Sequence, residues 1–438
     1  MNSKSISKNV SFVTWGAIII ILALVPFHGF LTVSLSSLVG HYTAIRLWEE
    51  YLLLIVAIGT IYTLLVEPKI RAAILSRKIV WLIVSYLIVQ LVWGLVAYQY
   101  HDVDKKALAY GLLIDSRYLI FFLCTWVAAL KTDLLRNRSL RLVIYPALVV
   151  IVFGLLQIFV LPRNFLSHFG YNSNTIVPFE TINHNSHYIR IQSTLRGANP
   201  LGAYLIIPLS LAAVLFVRFK KTLKKLIFLI AGFIVLIFSF SRSALLGAIV
   251  STAFGSFHSL KSRMTKTRLV YVIIIGLLVL AGLLFAFRNN PRIQNITFHT
   301  QNHSAIKTTS DEGHSSALRR GIKDVIHDPL GRGPGTAGPA SVYNNHPARI
   351  SENYFVQIGQ EMGWLGLILF LAINVVVGYL LWLKRADSLS LALLASLIGI
   401  CIVNMLSHAW ADETLAYLWW GLAGIAMVSR HKSKSAKI

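Results

Sequence analysis

Runs of about 20 apolar residues, the length a helix needs to cross a bilayer core, recur along this chain and are separated by short stretches rich in Lys and Arg. The runs read as Phe12 to Leu31, Trp48 to Val66, Ile79 to Tyr98, Leu112 to Leu130, Leu142 to Leu161, Leu201 to Val217, Leu226 to Phe240, Ala244 to Phe257, Leu269 to Phe287, Tyr354 to Leu383, Leu389 to Leu406 and Thr414 to Val428. The run from Tyr354 is long enough to include an interfacial turn. With 56% hydrophobic and 13% charged residues, the pattern excludes a water-soluble multidomain chain. It predicts an all-α integral membrane protein with about 12 transmembrane helices.

A net charge of +24 would point to nucleic acid on a soluble domain. Here most of the 41 Lys and Arg residues lie in connections between apolar runs, which orients a membrane protein and makes a nucleic-acid partner unexpected. The basic connections are Glu67–Lys78, Lys131–Arg141, Arg218–Lys225, His258–Arg268, Lys384–Asp387 and the tail from Arg430. They are assigned to the cytoplasmic side, with both termini. Lys4 and Lys8 precede the first run as in a secretory signal, but the run's length points to an uncleaved span. Cys124 and Cys401 fall within spans, so neither a disulfide nor a cysteine metal site is expected.

The expected organisation is residues 1–287 as nine helices with an outward loop at about 162–200, residues 288–353 as a large extracytoplasmic loop, and residues 354–438 as three helices and a basic cytoplasmic tail. A loop of roughly 65 residues far exceeds the usual connection and marks a functional segment.

The stretch from Leu226 to Phe257 carries basic flanks on both sides and must cross an even number of times. As one helix it would extend about 48 Å, against a core of about 30 Å. A break at Ser239-Phe-Ser-Arg-Ser243 resolves the mismatch and places Arg242 in a turn at the base of an outward polar cavity. A charge at membrane depth marks a site by default, and a forked guanidinium suits a phosphate. Arg117, in Asp115-Ser-Arg117, is a second such arginine, balanced evenly between a site and local pairing with Asp115. Arg190 and Arg196 lie in the first outward loop.

In the long loop, Ser315–Ile326 reads as an amphipathic helix bearing Arg319, Arg320 and Lys323, preceded by His314 and ended by His327-Asp-Pro329. Gly331-Arg-Gly-Pro-Gly335 offers amides able to cradle an anion. Glu352 and Asn353 open the next apolar helix, where a helix cap accounts for Asn353 as readily as chemistry does. Glu361, about two turns inside, needs a partner or water. His299 and His303 have metal-ligand spacing, but Thr300 stands where a metalloprotease carries glutamate, so no metal site is assigned. Asp102 and Asp104 read as a solvated loop beside Lys105 and Lys106.

Four segments together resemble the bacterial O-antigen ligase and O-antigen polymerase superfamily. They are Arg190…Thr194-Leu-Arg-Gly-Ala-Asn-Pro-Leu-Gly-Ala-Tyr-Leu205, Ser241-Arg-Ser-Ala-Leu-Leu-Gly247, Pro329-Leu-Gly-Arg-Gly-Pro-Gly335 and Glu352-Asn-Tyr-Phe-Val-Gln-Ile-Gly-Gln-Glu-Met-Gly-Trp-Leu-Gly366. The resemblance covers roughly residues 110 to 425. It implies a GT-C-like glycosyltransferase of the bacterial inner membrane with an outward active site. Such enzymes pass glycan from an undecaprenyl-pyrophosphate carrier to a hydroxyl on a glycan, lipid or protein, inverting the anomeric centre without metal or cofactor. On this resemblance Arg242, Glu352 and Asn353 are catalytic candidates. Arg319, Arg320, His314, Arg196, Arg190 and Arg117 are candidates for the pyrophosphate, with Glu361 behind them. One departure is Glu352, which stands where ligases usually carry histidine. Polymerisation of lipid-linked repeats is the alternative within the superfamily. A transporter or flippase of lipid-linked sugars is the alternative outside it, disfavoured because the chain lacks two related halves.

Overall fold

The computed structural model describes residues 3–182, 185–219, 222–260, 267 and 310–428. Eleven of the twelve expected runs are helical. The run from Leu269 to Phe287, the boundary at 287/288, and His299 and His303 lie outside the described residues.

The first run forms α1 (Ser3–Leu24) and α2 (His28–Val39), hinged at Val25–Phe27, where Pro26 interrupts the α-helical ladder. Next come α3 (Tyr42–Arg46), α4 (Trp48–Val66), α5 (Pro68–Leu75), α6 (Lys78–Gln99), α7 (Lys105–Lys131) and α8 (Leu134–Phe159). The loop after α8 holds an antiparallel hairpin, β1 (Glu180–Ile182) and β2 (Asn185–Arg190), the only sheet among the described residues. Then follow α9 (Ala198–Arg218), α10 (Leu223–Phe238), α11 (Arg242–Ser259), α12 (Ser310–His327), α13 (Tyr354–Leu383), α14 (Ser388–Asn404) and α15 (Glu413–Ala426). Among the described residues, seven helical segments are long and apolar enough to cross a membrane. The shorter α14 and α15, at 17 and 14 residues, are almost wholly buried among the others, so their length need not match a bilayer.

Small residues set how closely the helices pack, as expected where the surrounding lipid offers no hydrophobic drive. Gly247 of α11 faces Gly399 of α14 so tightly that a Cβ would lie 2.6 Å from the Gly399 carbonyl oxygen. Gly424 lets α15 approach α7, and an aromatic core of Trp410, Trp419, Trp420, Tyr118 and Phe122 fills the space beside it.

Two ends of the bundle differ in chemistry. At one, the basic connections meet: Lys131 pairs with Glu67, Arg136 lies 3.4 Å from Asp387, and Arg218 donates to the carbonyls of Arg385 (2.6 Å) and Ala386 (2.8 Å). The other gathers the long loops. There Thr414 Oγ1 donates to the Val25 carbonyl (3.0 Å), Phe30 N to Thr194 (3.3 Å), Ile191 N to Phe238 (3.2 Å) and Tyr354 N to Ser407 (3.2 Å). The sorting of the basic connections into one end and the long loops into the other is what the sequence pattern anticipates.

Candidate functional site

The break between α10 and α11 falls at Ser239–Ser241, with Phe240 in the left-handed region at φ 52°. Arg242 is therefore the first residue of α11, at the loop-rich end and exposed, beside amides that the helix leaves without internal partners. Arg190, the last residue of β2, docks on the same turn: its Nε donates to the Ser239 carbonyl (3.0 Å) and its Nη2 to Asn199 Oδ1 (2.6 Å), and Glu180 lies 3.1 Å from Nη1. Burial holds the Arg190 guanidinium below its ordinary pKa, Glu180 opposes that, and the Arg242 charge lowers it further. Two cations thus share one corner of the loop-rich end, an arrangement that favours an anion between them.

Arg117 and Arg196 are held differently. The local pairing of Arg117 with Asp115, one of the two evenly held readings, does not form, because positions two apart on α7 point to different faces. Arg117 instead donates to Glu50 (2.7 Å), Glu413 (3.4 Å) and the Ala411 carbonyl (3.0 Å), and is buried. Arg196 donates to Asp412 (2.8 Å) and lies 3.9 Å from Glu413, and these carboxylates raise its already high pKa against the opposing effect of burial. His28 completes the cluster with Glu49 at 2.8 Å and Glu413 at 3.3 Å. His28, Glu49, Glu50, Asp412 and Glu413 were not among the sequence candidates. The available signal was that Glu49-Glu50 and Asp412-Glu413, four of only 17 acids, stand at the starts of two apolar runs.

Glu352 sits in the left-handed region at φ 54°, a conformation that costs a non-glycine residue strain, and its side chain is about one-third exposed. His314, half-exposed on α12, pairs with it. A histidine thus reaches the position opposite Glu352 from another element. Asn353 is the N-cap of α13: its Oδ1 accepts from Val356 N (3.0 Å), and its Nδ2 donates to the Met405 carbonyl (3.0 Å). Both ends of the amide are engaged in holding the helix start.

The amphipathic helix reads as expected. Gly321 on α12 packs on Ser351 and Val356, and Asp324 accepts from Gln360 (2.7 Å) and Arg349 (3.2 Å), while Arg319 and Arg320 are exposed. Burial would raise the Asp324 carboxyl, but the hydrogen bonds from Arg349 and Gln360 outweigh it and hold the group below its ordinary value.

The glycine-rich segment is a correction. Its amides do not face outward to an anion, because the chain itself occupies them. Gly331 N donates to the Asp328 carbonyl (2.9 Å), Arg332 N to Gln360 (3.0 Å), Gly333 N to the Glu361 carbonyl (2.7 Å) and Gly335 N to Glu361 Oε1 (2.9 Å). The acid that these amides receive is Glu361, fully buried near Asp115, which accepts from the Tyr354 hydroxyl (2.7 Å). Gly363, at φ 61°, breaks α13 next to this loop, within the run expected to hold a turn. A Cβ there would lie 2.2 Å from the Pro329 carbonyl oxygen. Asp104, read from sequence as a solvated acid, ties two loops together by accepting from Asn345 N (2.6 Å).

An apolar groove of about 830 Å³ runs down α13 and α14 from this region, lined by Ile322, Val325, Phe355, Trp364, Leu371 and Cys401, with Asn353 and Met405 also on its wall. Asn353, on that wall, directly follows Glu352.

Residues 226–371 match the family model described as O-antigen ligase. The match begins in α10 and ends in α13, and it contains Arg242, His314, Arg319, Arg320, Glu352, Asn353 and Glu361. No curated protein matches the chain.

Proposed function

We propose that this chain, whose residues 226–371 match the O-antigen ligase family, is a twelve-span, GT-C-like inverting glycosyltransferase. It moves glycan from a polyprenyl-pyrophosphate carrier, of the undecaprenyl type, to an acceptor hydroxyl. The observation that carries the reading is the pair Arg190 and Arg242 at the break between α10 and α11, inside or beside the matched segment. The large loop, residues 288–353, and the loop-rich end as a whole face outward from a bacterial inner membrane. The basic end and both termini face the cytoplasm, which is what the distribution of Lys and Arg supports.

In this mechanism the acceptor oxygen attacks the anomeric carbon from the face opposite the pyrophosphate. The carbon–oxygen bond to the pyrophosphate breaks, and the electron pair leaves with polyprenyl pyrophosphate. Arg242, Arg190 and the α11 N-terminus stabilise the charge gathering on that leaving group, an effect typically worth a few kcal/mol per donor. Arg319 and Arg320, exposed on α12, extend the positive surface toward Glu352. Glu352 accepts the hydroxyl proton, and His314 orients it and balances its charge, standing in for the histidine expected at that position in ligases. Asn353 and Glu361 act from behind, one capping α13 and the other holding the glycine-rich loop. Arg117 and Arg196 are engaged by carboxylates and support the surrounding scaffold. The apolar groove suits the carrier's hydrocarbon chain. No step calls for a metal or cofactor.

The test is reconstitution of the full chain in proteoliposomes with polyprenyl-pyrophosphate-linked glycan. Release of polyprenyl pyrophosphate together with a new glycosidic bond of inverted configuration is expected. Movement of intact lipid-linked glycan across the bilayer without release would replace this reading with a transporter. Growth of carrier-linked glycan into longer repeats would identify a polymerase rather than a ligase.

A further inference from the structure

A second groove lies on a face that the transfer reaction does not use. About 470 Å³ open between α1 and α8, within the usual range for a small-molecule site. Both helices begin at the basic end, where Lys131, at the turn into α8, donates to Ser7 Oγ near the start of α1 (3.1 Å).

Three arginines near the start of α8 divide between its faces. Arg136 points inward, buried, 3.4 Å from Asp387 and donating to the Val428 carbonyl. Arg138 and Arg141 are three apart and so share the opposite, exposed face, where both line the groove. Neither makes a hydrogen bond or ion pair among the described residues, and no acid shares the wall with them. Further along α8, Leu142, Tyr145, Pro146 and Val149 continue the same stripe at helical spacing. Ile19 and Ala23 of α1, with Phe27 of its hinge, form the other wall. Leu142 and Pro146 are buried and make the floor, whereas Tyr145 and Val149 are 62% and 52% exposed, so the groove opens sideways out of the bundle rather than into it.

The groove is thus charged at one end and apolar along the rest, and that division selects the occupant. A free inorganic anion would pair with the arginines and leave the apolar walls to water. An apolar segment of another protein would cover the walls and strip water from two guanidinium groups without supplying an acid. A zwitterionic lipid would bring its own ammonium group up to them. An anionic phospholipid meets both ends at once: its phosphate takes the forked donors at headgroup depth, and its acyl chain takes the groove.

We propose that the groove between α1 and α8 is a binding site for an anionic phospholipid of the phosphatidylglycerol class. Arg138 and Arg141 hold the phosphate, and the walls from Leu142 to Val149 and from Ile19 to Phe27 hold one acyl chain. This assignment does not rest on the transfer reading, since neither wall carries a residue given a part in that reaction.

Full-length protein in phosphatidylcholine nanodiscs is titrated with phosphatidylglycerol that carries a diazirine in its acyl chain, and the photo-crosslinks are mapped by mass spectrometry. Saturable labelling within residues 19–27 and 142–149 is expected. Unlabelled phosphatidylglycerol should suppress it at a lower mole fraction than phosphatidylethanolamine does, and inorganic phosphate should not suppress it. Arg138→Ala combined with Arg141→Ala should raise the half-saturating mole fraction about twentyfold, from a loss of about fivefold per basic residue at headgroup depth. Ala23→Leu, which fills the groove and leaves both arginines in place, should raise it as well. Should the double alanine variant lose its monodisperse profile, Arg138→Gln with Arg141→Gln takes its place. Labelling that does not saturate, suppression by phosphatidylethanolamine or inorganic phosphate as strong as by phosphatidylglycerol, or unchanged saturation in the arginine variants overturns the proposal. Absence of labelling on these two segments overturns it too, the result that a second copy of the chain seated there would give. Stronger suppression by polyprenyl phosphate than by phosphatidylglycerol would hand the groove to the carrier and likewise end the proposal.

Discussion

Glu352 and Glu361 stand nine residues apart in one motif, and the fold puts them to opposite uses. Glu352 precedes its helix in a strained backbone conformation, partly exposed and paired with His314 from another element. Glu361 is fully buried, and its carboxyl receives Gly335 N. The contrast teaches that exposure and the donor set, rather than residue type or nearness in sequence, decide whether a carboxyl can move a proton. The first is partly open to solvent; the second holds a loop.

The largest expected effect breaks the first half of the comparison. Glu352→Gln should lower the rate of glycan transfer about 10²–10⁴-fold, the range for losing a general base, with membrane levels of the protein unchanged. A rate within a few fold of wild type would remove Glu352 from the chemistry. Glu361→Ala should act on the fold instead. It leaves Gly335 N without a buried partner at about 1–3 kcal/mol, so the midpoint of thermal unfolding in detergent should drop clearly. Unchanged stability would show that the glycine-rich loop does not depend on it. Gly363→Ala should destabilise similarly, since it adds left-handed strain to a Cβ lying 2.2 Å from the Pro329 oxygen.

His314→Ala sharpens the comparison further, with an expected loss of roughly tenfold in rate if the imidazole only orients Glu352, a hydrogen-bond-sized effect. A loss as large as that of Glu352→Gln would make the two residues one unit. The smallest effect concerns α12, which carries His314. The folded-state value of Asp324 lies below its unfolded value, so its contribution is present at neutral pH and is lost as pH falls through the folded value. For a solvent-screened pair this amounts to about 0.2–1 kcal/mol. Hydrogen exchange in α12 should rise modestly below the ordinary carboxylate range, and Asp324→Asn should abolish that rise.

The helices were legible because length and apolar composition dictate them, and so was the break before Arg242, because an unbroken helix would exceed the length of a membrane crossing. The turn at Gly363 was legible from the excess length of its run. The ion cluster was not, since Arg117 meets Glu413 across 296 residues and no local pattern records such a partner. The pairing of His314 with Glu352 was hidden for the same reason. The glycine-rich loop was misread because its amides looked open in sequence, whereas their acceptors, Gln360 and Glu361, come from a different element.

The account's central claim is that cations at the break between α10 and α11 hold the carrier's pyrophosphate. It is tested most directly by measuring the initial rate of polyprenyl-pyrophosphate release by Arg242→Ala in proteoliposomes at wild-type protein density. The account predicts a fall of about 10²–10³-fold, the usual consequence of removing one stabilising donor. An undiminished rate would contradict it.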